Sequence, residues 1–305
     1  MPEPAPYRRA LIVANPIAGR GRGERAAHEL AEGLAELDCA AELRLTTAAG
    51  DARRWTAESD VDLVVSIGGD GTLREVLDAL STTDRNDLPV AMLPMGTANV
   101  LAVDFRLPGH VPGVLELVRA GTTRQLDLAR VGPPGGPWVT SFLALGVGLD
   151  AEVVERLHTA RTGSITKLSY VPHSLKAVAS YRPSSLEVTI DGERLEGRFG
   201  QVIVSNMYNY GGLMRLDRRC RADDGRWEVY LWRRATRRDL FGSFVRSLAG
   251  RLPGGACECI QAREVSVSSE RPVPYHVDGD PGGRAPVALE LTGRSQTILA
   301  PTPRS

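Results

Sequence analysis

Apolar and polar positions along the chain fall into two regimes. In the first, short apolar runs at residues 8–14, 40–45, 61–68 and 89–93 alternate with helically spaced stretches such as Ala27, Leu30, Leu34 and Leu37. Runs of this length rich in β-branched residues read as buried parallel strands, and the 3.6-residue periodicity between them as helices packed on the sheet. One more helix is expected over 108–121. Three strands end in loops of Gly, Thr and Asn: Asn15-Pro16 through Gly23, Gly68-Gly69-Asp70-Gly71-Thr72, and Pro94 through Asn99. Several such loops at one edge of an open α/β sheet point to a ligand crevice. Thr72 and Glu75 stand at capping-box spacing, which predicts a helix opening beside the second loop.

Beyond Arg124 the pattern changes. Short strands are expected at 126–131, 138–145, 186–190, 195–206 and 226–232, with Asp191-Gly192 as a hairpin turn. Helices are expected at 166–180 and 235–252, and 287–299 reads as strand. The division that follows is residues 1–124 as a Rossmann-like α/β nucleotide-binding domain and 125–288 as a mainly antiparallel β-sandwich. Residues 289–305 form a C-terminal segment returning towards the first domain. The helix at 235–252 puts Leu240, Phe241, Phe244, Val245 and Leu248 on one face, with Arg237, Arg238, Arg246 and Arg251 around the rim. It suits an anionic lipid surface or packing on the sheet with solvated arginines; packing is the simpler expectation.

Composition narrows the chemistry. The chain has 305 residues, 37 basic against 37 acidic, so no global field recruits nucleic acid, and 5% aromatic content offers no stacking surface for it. Cys39, Cys220, Cys257 and Cys259 lack metal spacing. Neither a signal peptide nor a long apolar span is visible, so a reduced, cytoplasmic setting is expected. All basic residues but Lys167 and Lys176 are arginine, and neither lysine has a Walker or protein-kinase context. A nucleotide phosphate would have to be met by backbone amides, arginine and metal. The strand, glycines and helix start at 61–75 make a concavity of N–H groups suited to phosphate. Asp70 adds a carboxylate there, which fits a nucleotide with Mg²⁺. In His276-Val277-Asp278-Gly279-Asp280, period-two alternation would put both carboxylates on one face of an extended segment. Their repulsion would raise one pKa, which suits a base. His276 reads as structural.

Together these residues resemble the bacterial diacylglycerol kinase and sphingosine kinase-like lipid kinase family. The likeness runs through Asn15-Pro16 with Gly19, Gly68 to Thr72, Pro94 to Asn99, Leu126-Asp127, Gly146 to Ala151 and Lys167 to Tyr170. It continues through Asn206 before Gly211-Gly212, Asp224-Gly225 and Asp278-Gly279-Asp280. The second of these motifs is shared with NAD kinases and phosphofructokinases; the ordered set is specific. The resemblance implies an ATP-dependent kinase that phosphorylates a lipid hydroxyl, with a nucleotide domain like those of NAD kinase and phosphofructokinase and a β-sandwich closing over an interdomain cleft. It implies ATP contacts at Asn15, Thr47 (Thr46 being the alternative), Gly68, Gly69, Asp70, Gly71, Thr72, Gly96, Thr97 and Asn99. It places a metal at Asp224, flanked by Arg221 and Arg226, which could offer only backbone carbonyls, and the proton acceptor at Asp280. Partners implied are a lipid substrate and peripheral contact with the inner face of a membrane; a homodimer is compatible.

Two departures bear on function. Asp280 replaces the usual Glu, shortening the acid by one methylene, and Val100 stands where many relatives carry Asp. A soluble-metabolite kinase of the NAD kinase type, or a lipid-binding protein weakened in catalysis, are therefore the alternatives.

Overall fold

The computed structural model describes residues 6–159 and 184–302. The helix expected at 166–180, with Lys167, Tyr170 and Lys176, lies outside the described residues. Two compact units are present, residues 1–126 with 294–305, and residues 127–293.

The first unit contains β1 (Arg9–Ala14), a kinked turn α1 (Ala18–Gly21), α2 (Gly23–Glu36), β2 (Ala40–Leu45), α3 (Asp51–Glu58), β3 (Leu63–Gly68) and α4 (Asp70–Thr82). It continues with β4 (Val90–Pro94), α5 (Val100–Phe105), α6 (Val111–Ala120) and the start of β5 (Thr123–Gly132). The strands run parallel in the order β2-β1-β3-β4. β3 is buried at every position, Ser66 included, as a central strand covered on both faces is, whereas β2 at the edge is exposed or half-buried throughout. Ile12, Leu63, Val65, Ile67 and Leu93 pack with Leu30 and Leu34 of α2 and Val114 and Val118 of α6. Chain order reverses between β1 and β3, which makes the carboxyl ends of those strands the topological switch point where ligands sit in such sheets.

The second unit is antiparallel. Its elements are β6 (Val139–Ser141), β7 (Ala144–Val147), α7 (Leu149–Thr159), β8 (Leu186–Ile190), β9 (Glu193–Arg194), β10 (Gln201–Ser205), β11 (Asn209–Tyr210) and β12 (Met214–Arg215). There follow β13 (Trp227–Trp232), α8 (Arg237–Leu248), β14 (Cys257–Ala262), β15 (Glu264–Ser269), β16 (Pro274–Val277), β17 (Asp280–Arg284) and β18 (Val287–Leu299). One sheet has the order β14-β13-β10-β7-β16-β17, and β18, β15, β8 and β9 follow one another in a second. Val147, Val202, Val204, Trp227, Val229 and Leu231 from the first meet Val188, Val265, Val267 and Leu289 from the second, with Phe199 bridged to Leu186 of β8, in one core, as a sandwich requires. β13 is buried on both faces: its outward Trp232 donates from Nε1 to Ser243 Oγ of α8 at 2.8 Å, and Tyr230 Oη accepts the Asp217 N–H at 3.0 Å. β18 begins in this unit and ends in the first, where Ile298 lies parallel to Val90. α7, which the sequence pattern does not announce, follows the glycines at 146 and 148.

Candidate functional site

At the carboxyl edge of the first unit, backbone hydrogen bonds tie the loops after β1, β3 and β4 together. Asn15 N–H donates to Ile67 O at 2.9 Å, Gly19 N–H to Met95 O at 2.9 Å, and Met95 N–H to Gly68 O at 2.7 Å. Gly69 and Gly96 meet back to back. A Cβ on Gly96 would lie 2.5 Å from Gly69 Cα and 2.7 Å from Asn99 Oδ1, so only glycine fits. Asn99 takes a left-handed φ of 49°, which Asn tolerates. Its Oδ1 accepts the Gly96 N–H and its Nδ2 donates to Gly96 O, both at 2.9 Å. Asn99 therefore folds the loop on which Gly96 and the exposed Thr97 stand.

The expected capping box at Thr72 and Glu75 does not form. The turn closes earlier, on Gly69, so α4 starts at Asp70 and Glu75 falls inside the helix. Glu75 caps the neighbouring α3 instead, accepting Gly50 N–H at 3.0 Å and Ala52 N–H at 3.1 Å. Asp70 occupies the first helical position, where the helix dipole favours a carboxylate, and its Oδ2 accepts the Val100 N–H at 3.2 Å. Gly71 beside it faces open space where a Cβ would stand, whereas Thr72 turns back onto Gly68. Thr47, after β2, is engaged locally: its N–H and hydroxyl donate to Asp51 Oδ2 at 2.8 and 2.9 Å. Those bonds, the Thr47 N–H foremost, hold the Asp51 carboxyl below its ordinary pKa. Asn15, Gly68 to Thr72, Gly96, Thr97 and Asn99 thus share one edge.

The second unit builds from side chains. Asp278-Gly279 is a turn between β16 and β17 with φ of 52° and 87°, the left-handed pair that a two-residue hairpin demands. This corrects the expectation of a single extended face bearing both carboxylates. Asp278 faces inward: Oδ1 accepts from Ser141 Oγ at 2.7 Å, Leu143 N–H at 3.0 Å and Ala144 N–H at 2.9 Å, and Oδ2 from Phe142 N–H at 3.2 Å. It anchors the hairpin. Asp280 opens β17 opposite Val277, half-buried.

Beneath the turn lies a buried polar cluster. His276 Nδ1 accepts the Gly279 N–H at 3.3 Å, which places the ring proton on Nε2, 3.0 Å from Asp150 Oδ2. Tyr210 donates its hydroxyl to the same Oδ2 and lies 2.9 Å from His276 Nε2, while Gln201 Nε2 reaches Asp150 Oδ1 at 3.0 Å. Burial first, and Asp150 second, push the Tyr210 pKa well up, so it stays a donor. His276 is buried in this cluster and holds the Gly279 N–H. Nothing in the sequence marks Tyr210 or Gln201. Gly146 is the one local sign, because a Cβ there would lie 2.0 Å from Asp150 Oδ2 and 2.4 Å from His276 Nε2.

Asp224 lies in a turn before β13. Its Oδ1 accepts the Arg226 N–H at 3.1 Å, and the neighbouring Gly225 N–H donates to Asp127 Oδ2 at 2.6 Å. Burial raises the Asp224 pKa, with Asp127 and Asp223 adding to the rise against the Arg226 N–H. The Arg221 guanidinium is paired with Asp223 at 3.2 Å. Among the described residues no group of three or more His, Cys, Asp or Glu is arranged to hold a metal.

Comparison with known proteins converges on one group. Residues 9–131 match the diacylglycerol kinase catalytic domain, and residues 144–300, half of the chain, match the YegS C-terminal NAD kinase beta sandwich-like domain. The chain belongs to the YegS-like and diacylglycerol kinase family of lipid kinases. A protein of Stenotrophomonas maltophilia (strain K279a) named as a YegS-like lipid kinase is 29% identical over 253 residues, covering 79% of this chain and 80% of the relative. The diacylglycerol kinase of Bacillus subtilis (strain 168) is 24% identical over 290 residues, 92% of each chain. A solved structure from Bacillus anthracis str. Sterne, carrying the diacylglycerol kinase designation, superposes with a TM-score of 0.78 at 21% identity. It covers 97% of this chain and 98% of its own, and at that identity it speaks for the fold alone. Kinase membership makes ATP the phosphoryl donor class of this family.

Proposed function

We propose that the chain transfers the γ-phosphoryl group of ATP to a hydroxyl of a lipid of the diacylglycerol, sphingoid or related kind. The observation that carries this is the edge of the first unit, where three glycine-rich loops are knit together by main-chain bonds beside the N-terminus of α4. Phosphoryl transfer asks for such positioning and charge neutralisation more than for covalent chemistry. The turn of Gly69 to Thr72 at the start of α4 and the exposed Thr97 would bind the triphosphate, with Asn15, Gly96 and Asn99 fixing the neighbouring loops. Asp70 is the acid on this edge, and an ion carried in on the nucleotide needs only one or two protein carboxylates. Mg²⁺ bound there would neutralise phosphate charge. Asp224, whose ionised form is disfavoured by burial and by Asp127 and Asp223, is the carboxylate proposed for a second, structural ion.

Asp280 is the proposed proton acceptor for the lipid hydroxyl. Its turn is fixed from two sides, by the four donors on Asp278 and by His276 on Gly279. The test is incubation of a total lipid extract with [γ-³²P]ATP and the purified protein. Label in an organic-phase species, absent with Asp70→Asn, is the expected result. Label only in a water-soluble dinucleotide would favour the NAD kinase type of reaction, and no label at all a binding protein.

A further inference from the structure

The helix α8 does not bury the face its sequence suggests. Leu240, Ser243 and Ser247, at i, i+3 and i+7, are buried, and Ser243 is pinned by Trp232. Phe241, Phe244, Val245 and Leu248 stand 63%, 40%, 49% and 46% exposed, four of the nine large apolar side chains exposed among the described residues. The expected single apolar face is thus split, and its larger part points outward. The pose is firm. Thr236 and Asp239 close a full capping box at the N-terminus, with the Thr236 hydroxyl 2.7 Å from Asp239 Oδ2.

Charge is segregated around this stripe. Residues 234–251 hold five arginines (234, 237, 238, 246 and 251) and one acid, Asp239, in a chain whose net charge is zero, while Arg233 just before them is paired with Glu258 at 2.9 Å. Asp239 is spent on the cap. Arg237, Phe241, Phe244 and Leu248 follow one another at i, i+4, i+7 and i+11, so a cation heads the apolar stripe, and Arg238 lies on the row of Phe241 and Val245. β12 packs beside the helix, and the hairpin it belongs to carries another exposed apolar residue, Leu213.

We propose that this outer face of α8 is a docking surface for an anionic lipid bilayer. Aromatic and aliphatic side chains on a firmly held helix, rimmed by arginines, enter the headgroup boundary while the guanidinium groups meet lipid phosphates. A second protein copy would not need a net charge of four on one short segment, since like would face like across a two-fold axis. The proposal rests on the lipid-kinase reading for the occupant's nature, because a lipid hydroxyl is presented at a membrane surface. It concerns binding alone.

The test uses the full chain without ATP, sedimented with vesicles of phosphatidylcholine alone or mixed with phosphatidylglycerol, at low and at physiological salt. Binding to the anionic vesicles, weakened by salt, is expected. Phe241→Ser with Phe244→Ser should lower partitioning at least about tenfold, and Arg237→Glu with Arg238→Glu by more than roughly 25-fold. Both should leave thermal midpoint and turnover of a water-soluble short-chain lipid unchanged, as all four residues are exposed. Wild-type protein that ignores anionic vesicles, or a serine variant that binds them equally, overturns the proposal. So does light scattering that shows a wild-type dimer broken by the serines with vesicle binding intact. Lipid labelling by [γ-³²P]ATP in detergent reports on the kinase reading separately.

Discussion

The two units fix their candidate-site loops with different materials. The edge of the first unit is made of backbone. Its loops are fastened by main-chain bonds between neighbouring strands, and side chains are excluded at the Gly69–Gly96 contact. The hairpin of the second unit is held by side chains from positions far apart in sequence: Ser141, Asp150, Gln201, Tyr210 and His276 converge under or beside Asp278 and Asp280. A backbone site is specified by what is absent, a side-chain site by what is satisfied. Substitutions should therefore act in opposite ways. In the first unit adding a methyl does harm; in the second, removing a carboxylate does.

The largest effect belongs to Asp280. Asp280→Asn should lower kcat by on the order of 10²–10⁴, the usual worth of positioned proton transfer, while ATP affinity stays. Asp280→Glu adds the methylene that the family resemblance leads one to expect, but on a turn pinned at Asp278 and Gly279 the longer acid is displaced, and about 1 Å can cost a hundredfold. It should fall between wild type and Asn in single-turnover assays. An Asn variant of full activity would move the base elsewhere.

Asp278 separates anchoring from chemistry. Asp278→Ala strands three backbone N–H groups and the Ser141 hydroxyl, and should cost about 2–4 kcal/mol in urea unfolding. A loss below about 1 kcal/mol would mean water replaces the carboxylate and the hairpin is held from His276 alone.

The sequence makes this contrast intelligible. Glycine loops after apolar runs are legible because they are local, and so is the order of strands that aligns them. The capping of α4 is not, because whether Thr72 or Gly69 ends the turn depends on how closely Gly96 can approach. Alternation alone misplaces Asp278 and Asp280 on one face, because Asp-Gly chooses a left-handed turn over extension. Period-two counting cannot see that choice without the donors at 141–144. Tyr210 and Gln201 carry no motif; they become visible only once β7, β10 and β16 lie side by side. On α8 the periodicity is right, but the choice of buried stripe is set by the Trp232–Ser243 contact rather than by hydrophobicity.

The smallest effect tests burial in the second unit. Glu228 is buried on β13, and burial first, with Asp224 adding, raises its pKa against the bonds from Cys220 and Gln261. The fold thus favours the protonated acid. Its contribution is complete below the ordinary Glu range and is lost as pH rises through the raised value. The thermal midpoint of Glu228→Gln relative to wild type should therefore climb by roughly 1–3 °C between about pH 4.5 and 8. A difference that does not change with pH would contradict this.

The most direct test of the division of labour is calorimetric titration of ATP with Mg²⁺ into wild type, Gly71→Ala and Asp280→Asn. Gly71 has no positive φ, and nothing lies within 4 Å of where its methyl would stand, so alanine costs the fold nothing and even favours the helix by about 0.5–1 kcal/mol. A methyl there occupies only the space proposed for phosphate. The account predicts ATP binding weakened about tenfold or more in Gly71→Ala, at an undiminished thermal midpoint, and unchanged in Asp280→Asn. Undisturbed binding in Gly71→Ala, or lost binding in Asp280→Asn, would contradict it.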